Sequence, residues 1–221
     1  MLTCEEDMTK ERRLSCADCG TRACRTADES GYPDFCLTRK LDPALLQESI
    51  DVYASDAGQR KIARISAELE GEFYCRMTRV EETIEFVRRM ECRSVGIAVC
   101  VGLLNEARVF ARLLRERGID FVTVGCKTGA VDKSVLGIPD TLKLNGGCGH
   151  ESMCNPVLQA RYLNSLGTDL NIMMGLCVGH DSLFIRNSEA PVTVMVVKDR
   201  VLGHNPAAAL YMANTSYSRF R

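Results

Sequence analysis

The sequence predicts an α/β protein: a mostly parallel sheet of about four strands with helices on its faces, preceded by a cysteine-rich N-terminal metal-binding segment and helices. Three observations predict it. From about residue 93, short apolar runs alternate with helix-patterned stretches, the order expected of parallel strands joined by crossover helices. Two of those helices open on Asn-Pro and two stretches close on glycine, which are start and stop signals. The first forty residues, by contrast, are polar, rich in cysteine and without apolar period. The chain thus divides into residues 1–92, a cysteine-rich segment with a helical region, and residues 93–221, the α/β domain.

The elements follow in order. Asp42-Pro43 offers an N-cap and a proline at N1 for a long helical stretch, with a break expected near Asp56-Ala57-Gly58. Val80, Ile84, Val87 and Met90 recur at helical spacing. Ser94–Cys100 reads as a buried strand, Asn105–Arg117 as a helix closed by Gly118, and Phe121–Cys126 as a second strand. Asn155-Pro156 starts a helix that ends at Gly167, and Leu170–Cys177 is the third strand. Asp181–Asn187 is a short helix with Asp181 as its N-cap, Val192–Lys198 the fourth strand, and Asn205-Pro206 opens a last helix through Ala213. Between Lys127 and Cys154 lies a 28-residue loop, a length that in a compact domain points to function or to further elements. Strand order does not follow from these patterns.

Twelve of the 221 residues are cysteine, in a chain long enough to bury a core without disulfide staples. Met1–Asp7 lacks the basic and apolar regions of a secretory signal, and no apolar run reaches the roughly 18 residues of a membrane span. A cytoplasmic protein with reduced thiols is the expectation, so the cysteines point to metal or redox chemistry. The net charge of -1 offers no general field for nucleic acid. Residues 1–92 carry net -5 and residues 93–221 net +4, an asymmetry compatible with a small anionic ligand and equally with solvated faces.

Two cysteine constellations carry the chemistry. In the first, Cys16-Ala17-Asp18-Cys19 is a C-x2-C pair, followed by Cys24 and Cys36. Thiolates two residues apart can turn onto one ion, and metal ligation would order a segment that has little apolar surface to bury. In the second, three strands end in Cys100, Cys126 and Cys177, which a parallel sheet brings to its carboxyl edge, where open α/β proteins bind ligands. Strands stand roughly 4.8 Å apart there, so neighbouring thiols can share a metal. Cys154 joins them from a helix start, and His180 and His204 follow as additional ligands or supporting groups. Lys127 and Lys198, at strand ends, and Asp181 are candidate contacts to an anionic ligand. Cys4, Cys75 and Cys92 fall outside both sets, and Cys148 is an extra ligand or a loop thiol. Asn145–Gly149 is glycine-rich without the pattern of a phosphate loop.

At these residues the chain resembles domain of unknown function 1847, a family of uncharacterised, cysteine-rich proteins described as metal-binding and found largely in anaerobic microbes. The resemblance rests on Cys16/Cys19/Cys24/Cys36, Cys100-Val101-Gly102, Met153-Cys154-Asn155-Pro156, Asn171 and Gly175 through Phe184, Val197-Lys198-Asp199-Arg200 and His204-Asn205-Pro206. Cys148-Gly149-His150 departs from the family's pattern. The resemblance implies metal binding and leaves the reaction open. With thiolate-only ligands in an anaerobic setting, the expected cofactor is a [4Fe–4S] cluster, with zinc as the alternative. The functional expectation is therefore an iron–sulfur protein with a structural N-terminal site and an edge site for redox chemistry. Its rival is a zinc-stabilised interaction or sensor module without catalysis.

Overall fold

β1 is a run of five apolar or small residues, Val95–Val99, all buried. It can be so only with sheet neighbours on both sides and helices above and below. The computed structural model, which describes residues 12–220, supplies them. β1 pairs in parallel with β2 (Phe121–Gly125) on one side and with β3 (Leu170–Met174) on the other. β4 (Val192–Val196) pairs in parallel outside β3, giving the order β2-β1-β3-β4. The fold is therefore α/β with a four-stranded, all-parallel sheet. The chain leaves β1 towards β2 and returns to β3 on the opposite flank, so the direction of winding switches between β1 and β3. In open α/β sheets the crevice at such a switch is where ligands bind.

The side chains of Asp42, Thr78 and Asn155 cap helix starts. α2 is Pro43–Ser55, with the Asp42 side chain accepting from Ala44 N–H, and α3 is Ala57–Phe73; α1 is the short Leu37–Lys40. α4 (Arg79–Met90) begins with a capping box between Thr78 and Glu81. α5 is Leu104–Arg115, α6 Pro156–Ser165, α7 His180–Asn187 and α8 Pro206–Tyr211. Gly118 and Gly167 take left-handed backbone (φ 66° and 63°) just beyond α5 and α6. One core gathers Ile97, Val99, Leu103, Phe110, Leu114, Leu163, Ile172 and Phe184 around the sheet.

Several expectations are corrected. β3 stops at Met174 because Gly175 turns left-handed (φ 63°), so Cys177 lies in the loop beyond the strand and not at its end. Asp181 is not the N-cap of α7: Gly179 is, with φ 84°, and the Asp181 carboxylate instead accepts from the adjacent Ser182 N–H. Asn205 precedes Pro206 but makes no side-chain capping bond. The 127–154 loop contains two short 3-10 turns, Lys133–Leu136 and Asp140–Leu142, and an antiparallel bridge between Asp132 and Ser152. Asp132 anchors it by accepting from the amides of Ser134 and Glu151, bonds that hold its carboxyl below the usual range.

The chain divides into two compact units, Met1–Lys61 and Ile62–Arg221. Met1–Asp7, read for a leader, and Cys4 lie outside the described residues. No described helix is long and apolar enough to cross a membrane.

Candidate functional site

The carboxyl ends of β1 and β2 carry the first two thiols, and backbone geometry fixes both. Cys126 N–H donates to the Val99 carbonyl at 2.8 Å, continuing the β1–β2 ladder by one residue. Val101 N–H donates to the Cys126 sulfur at 3.4 Å, and Gly102 N–H donates to that of Cys100. Asn155 N–H donates to the Cys126 carbonyl at 2.8 Å, which draws the start of α6 against the end of β2. The residue before it, Cys154, thereby comes within 3.7 Å of Cys126, sulfur to sulfur. Cys100, Cys126, Cys154 and Cys177 line one small cavity together with Pro156, Gln159, Leu176 and His180.

Cys126, the middle thiol, is held protonated, its pKa raised by hydrogen bonding to Cys100 and Cys154 and by burial. Its neighbours shift the other way. Cys100 is lowered to about 5, first by the hydrogen bond with Cys126, then, against the cost of burial, by Gly102 N–H and the Lys198 ammonium. Cys154 is lowered to about 6 by the hydrogen bond with Cys126, with Lys127 and His180 adding to the effect. Arg200 donates to the Cys177 sulfur at 3.0 Å, and this bond raises the Arg200 pKa. Thiolate character next to cations is the state in which cysteine binds metals and attacks electrophiles.

Two buried polar atoms at the cavity have no partner among the described residues: His180 Nδ1 and Gln159 Oε1. Gln159 is fully buried, and its amide donates to the carbonyls of Val99 (3.2 Å) and Val124 (2.7 Å), tying together the strand ends before Cys100 and Cys126. Leaving such atoms unpaired costs about 1–3 kcal/mol each, so an occupant of the cavity that engages them is favoured. The donor set suits a thiophilic metal ion. Among the described residues, however, no three His, Cys, Asp or Glu side chains already stand as a closed metal cage. Binding an ion would require the side chains to close further.

The other expected residues are distributed as follows. Lys127 donates its ammonium to the Ser152 carbonyl beside Cys154. Lys198 reaches Cys100, but Asp181 is not among the residues lining the thiol cavity. His204 is also set apart. It has left-handed backbone (φ 67°), its Nδ1 accepts from Asp199 N–H at 3.1 Å, and it lines a separate depression with Leu103, Glu106 and Met195. Cys75, Cys92 and Cys148 do not line the cavity.

In the N-terminal unit, the Cys19 sulfur is approached by the amides of Arg22 and Thr21 and by the Thr21 hydroxyl, which lower its pKa. Burial pushes Cys36 up, but the amides of Arg39 and Thr38 outweigh it and the net shift is down. Cys19 and Cys24 are close enough to act electrostatically on Cys36 and Tyr32 respectively. Amides two and three residues ahead of a cysteine, aimed back at its sulfur, are donors that stabilise thiolate. Cys16 is exposed.

Sequence reasoning missed Arg200 and Gln159 as site residues. Arg200 lies in the Val197–Arg200 motif just past β4, but nothing local says that it reaches a loop after β3. Gln159 sits on the buried face of α6, and a lone polar residue on such a face was the signal available.

The family model described as a protein of unknown function (DUF1847) matches residues 36–195. That stretch contains Cys36, the four cavity cysteines, Gln159 and His180, and leaves out Cys16, Cys19, Cys24, Lys198, Arg200 and His204. An uncharacterized protein of Methanocaldococcus jannaschii is 42% identical over 198 residues, covering 90% of this chain and 94% of its own length. With a thiol-lined α/β core matched over so much of its length, the chain belongs to the DUF1847 family.

Proposed function

We propose that this chain is a metal-binding protein whose principal site is the thiol cavity at the carboxyl edge of the sheet. The observation that carries the reading is the convergence of Cys100, Cys126 and Cys154, with Cys177 and an unpartnered His180 Nδ1 lining the same cavity. Lys127, Lys198 and Arg200 offset the negative charge that thiolate ligands bring. A small anionic molecule would meet the same cations, with exposed Arg200 nearest to solvent.

The sulfur spacing bears on the metal. At a Zn–S distance of about 2.3 Å, the edge of a sulfur tetrahedron is about 3.8 Å. The thiol–thiol hydrogen bond between Cys126 and Cys154 is 3.7 Å long, so these two sulfurs would take a single zinc-like ion with little movement. A [4Fe–4S] cluster, with each cysteine on its own iron, asks these sulfurs to spread apart. The N-terminal Cys16, Cys19, Cys24 and Cys36 form a second, structural site in this reading, and so many reduced thiols suit the cytoplasm.

Metal and acid-labile sulfide analysis of anaerobically purified protein tests the proposal. Zinc without sulfide is expected. Iron with equimolar sulfide and a brown colour would install the cluster instead, and a protein with neither metal would overturn the metal reading.

A further inference from the structure

Five candidate ligands line the cavity, one more than a tetrahedral ion takes. Cys177 and His180 differ in what already engages them. The Cys177 sulfur accepts a hydrogen bond from the Arg200 guanidinium at 3.0 Å, beyond the turn at Gly175 that carries it off the strand end. His180 Nδ1 is buried and has no partner among the described residues. It stands three residues after Cys177, at the first position of α7, close enough to Cys154 to lower its pKa.

Resting on the metal reading above, we infer that the cavity divides these labours: Cys100, Cys126, Cys154 and His180 hold the ion, and Cys177 stays outside the coordination sphere as an Arg200-paired reactive thiol. Binding displaces the Cys126 proton, and three thiolates with a neutral imidazole then leave a divalent ion with one net negative charge, which Lys198 and Lys127 flank. Four thiolates would leave two negative charges and an imidazole nitrogen with nothing to bond. A neutral imidazole supplies a lone pair without desolvating another anion, so it is the less costly fourth ligand in a buried site. Gln159 acts as a positioning residue, its amide clamping the carbonyls before Cys100 and Cys126. The pairing leaves Cys177 beside the metal yet half-exposed, and the substrate class it fits is a small disulfide: the Cys177 sulfur forms a mixed disulfide with one half, the substrate's S–S bond breaks, and the other half leaves as a thiol with the Cys177 proton.

Cobalt(II) chloride is the probe, because thiolate-to-cobalt charge-transfer intensity scales with the number of bound thiolates. The full-length protein, stripped by chelator and reloaded with cobalt, is compared with Cys177→Ser and His180→Ala. The expected result is unchanged charge-transfer intensity and affinity in Cys177→Ser, and at least about tenfold weaker cobalt binding in His180→Ala. Loss of about one thiolate's share of the intensity in Cys177→Ser, or undiminished affinity in His180→Ala, overturns the inference. Iodoacetamide on the cobalt-loaded wild type reads the same division without mutation. Cys154 and Cys177 are both half-buried, so access does not separate them. Cys177 should be alkylated in the loaded protein and Cys154 only after chelation. Equal protection of the two overturns the inference while leaving the metal reading intact, whereas no protection of Cys154 by cobalt overturns both, wherever else in the chain cobalt binds.

Discussion

Gly96 is the second residue of β1, and a methyl group there would lie 2.0 Å from Asn171 Oδ1 and 2.8 Å from Leu163 Cδ1. Neither neighbour can give way freely. Asn171 is fully buried on β3, its Oδ1 accepting from the Thr168 hydroxyl at 2.9 Å and its Nδ2 donating to the Ser188 hydroxyl at 2.8 Å. Leu163 is fully buried on α6. Gly96→Ala therefore either overpacks the core, at about 1–3 kcal/mol, or pushes Asn171 off two buried hydrogen bonds, each worth about 1 kcal/mol. The smaller entropy of the unfolded alanine chain returns roughly 0.5 kcal/mol. A net destabilisation of about 1.5 kcal/mol is expected, which at an m-value of about 2 kcal/mol per molar urea lowers the midpoint by about 0.75 M. Urea unfolding followed by circular dichroism measures it. Gly102→Ala is the control, since its methyl would meet only Lys198 Nζ at 3.6 Å and Cys100 Sγ at 3.8 Å, ordinary contacts. Adding Asn171→Ala to Gly96→Ala should cost much less than the two single changes combined, because the clash has lost its partner. A Gly96→Ala midpoint within about 0.3 M of wild type, or strict additivity of the pair, would show that the methyl group is accommodated without the clash.

Gln159→Ala removes two buried hydrogen bonds and opens a void at the strand ends, so it should cost about 2–4 kcal/mol and weaken metal binding with it; wild-type stability by urea unfolding would show that the clamp is idle. Phe184→Ala, at a fully buried ring in the core, should cost about 3–5 kcal/mol by the same assay. In metal-free protein, alkylation of Cys154 followed by mass spectrometry across pH should turn on near pH 6, and an inflection near 9 would contradict the shift. The sign for stability is fixed by the same number. The folded-state value lies below that of the unfolded thiol, so between about pH 6 and 9 the unfolded chain binds more protons. Metal-free stability therefore gains from Cys154 as pH rises through that window and loses the gain as pH falls through 6. Thermal melts from pH 5 to 9 would measure it.

The amino-acid sequence on its own specifies most of the elements, because their signals are local. Apolar period, Asn-Pro starts and glycine stops act within a turn or two of the residues they order, so β1, α5, β2, α6 and β4 lie where those signals put them. It also determined that Cys100 and Cys126 share an edge, since parallel strands put their carboxyl ends together. The tertiary structure alone decided the order β2-β1-β3-β4, which depends on which faces pack and not on any local pattern. It alone brought Cys154 to Cys126 across a 28-residue separation, through one backbone bond from Asn155. It moved Cys177 off its strand by the left-handed turn at Gly175, and it delivered Arg200 to it from beyond the fourth strand. These outcomes rest on contacts between residues far apart in the chain, whose closure is governed by packing that no window of the sequence contains.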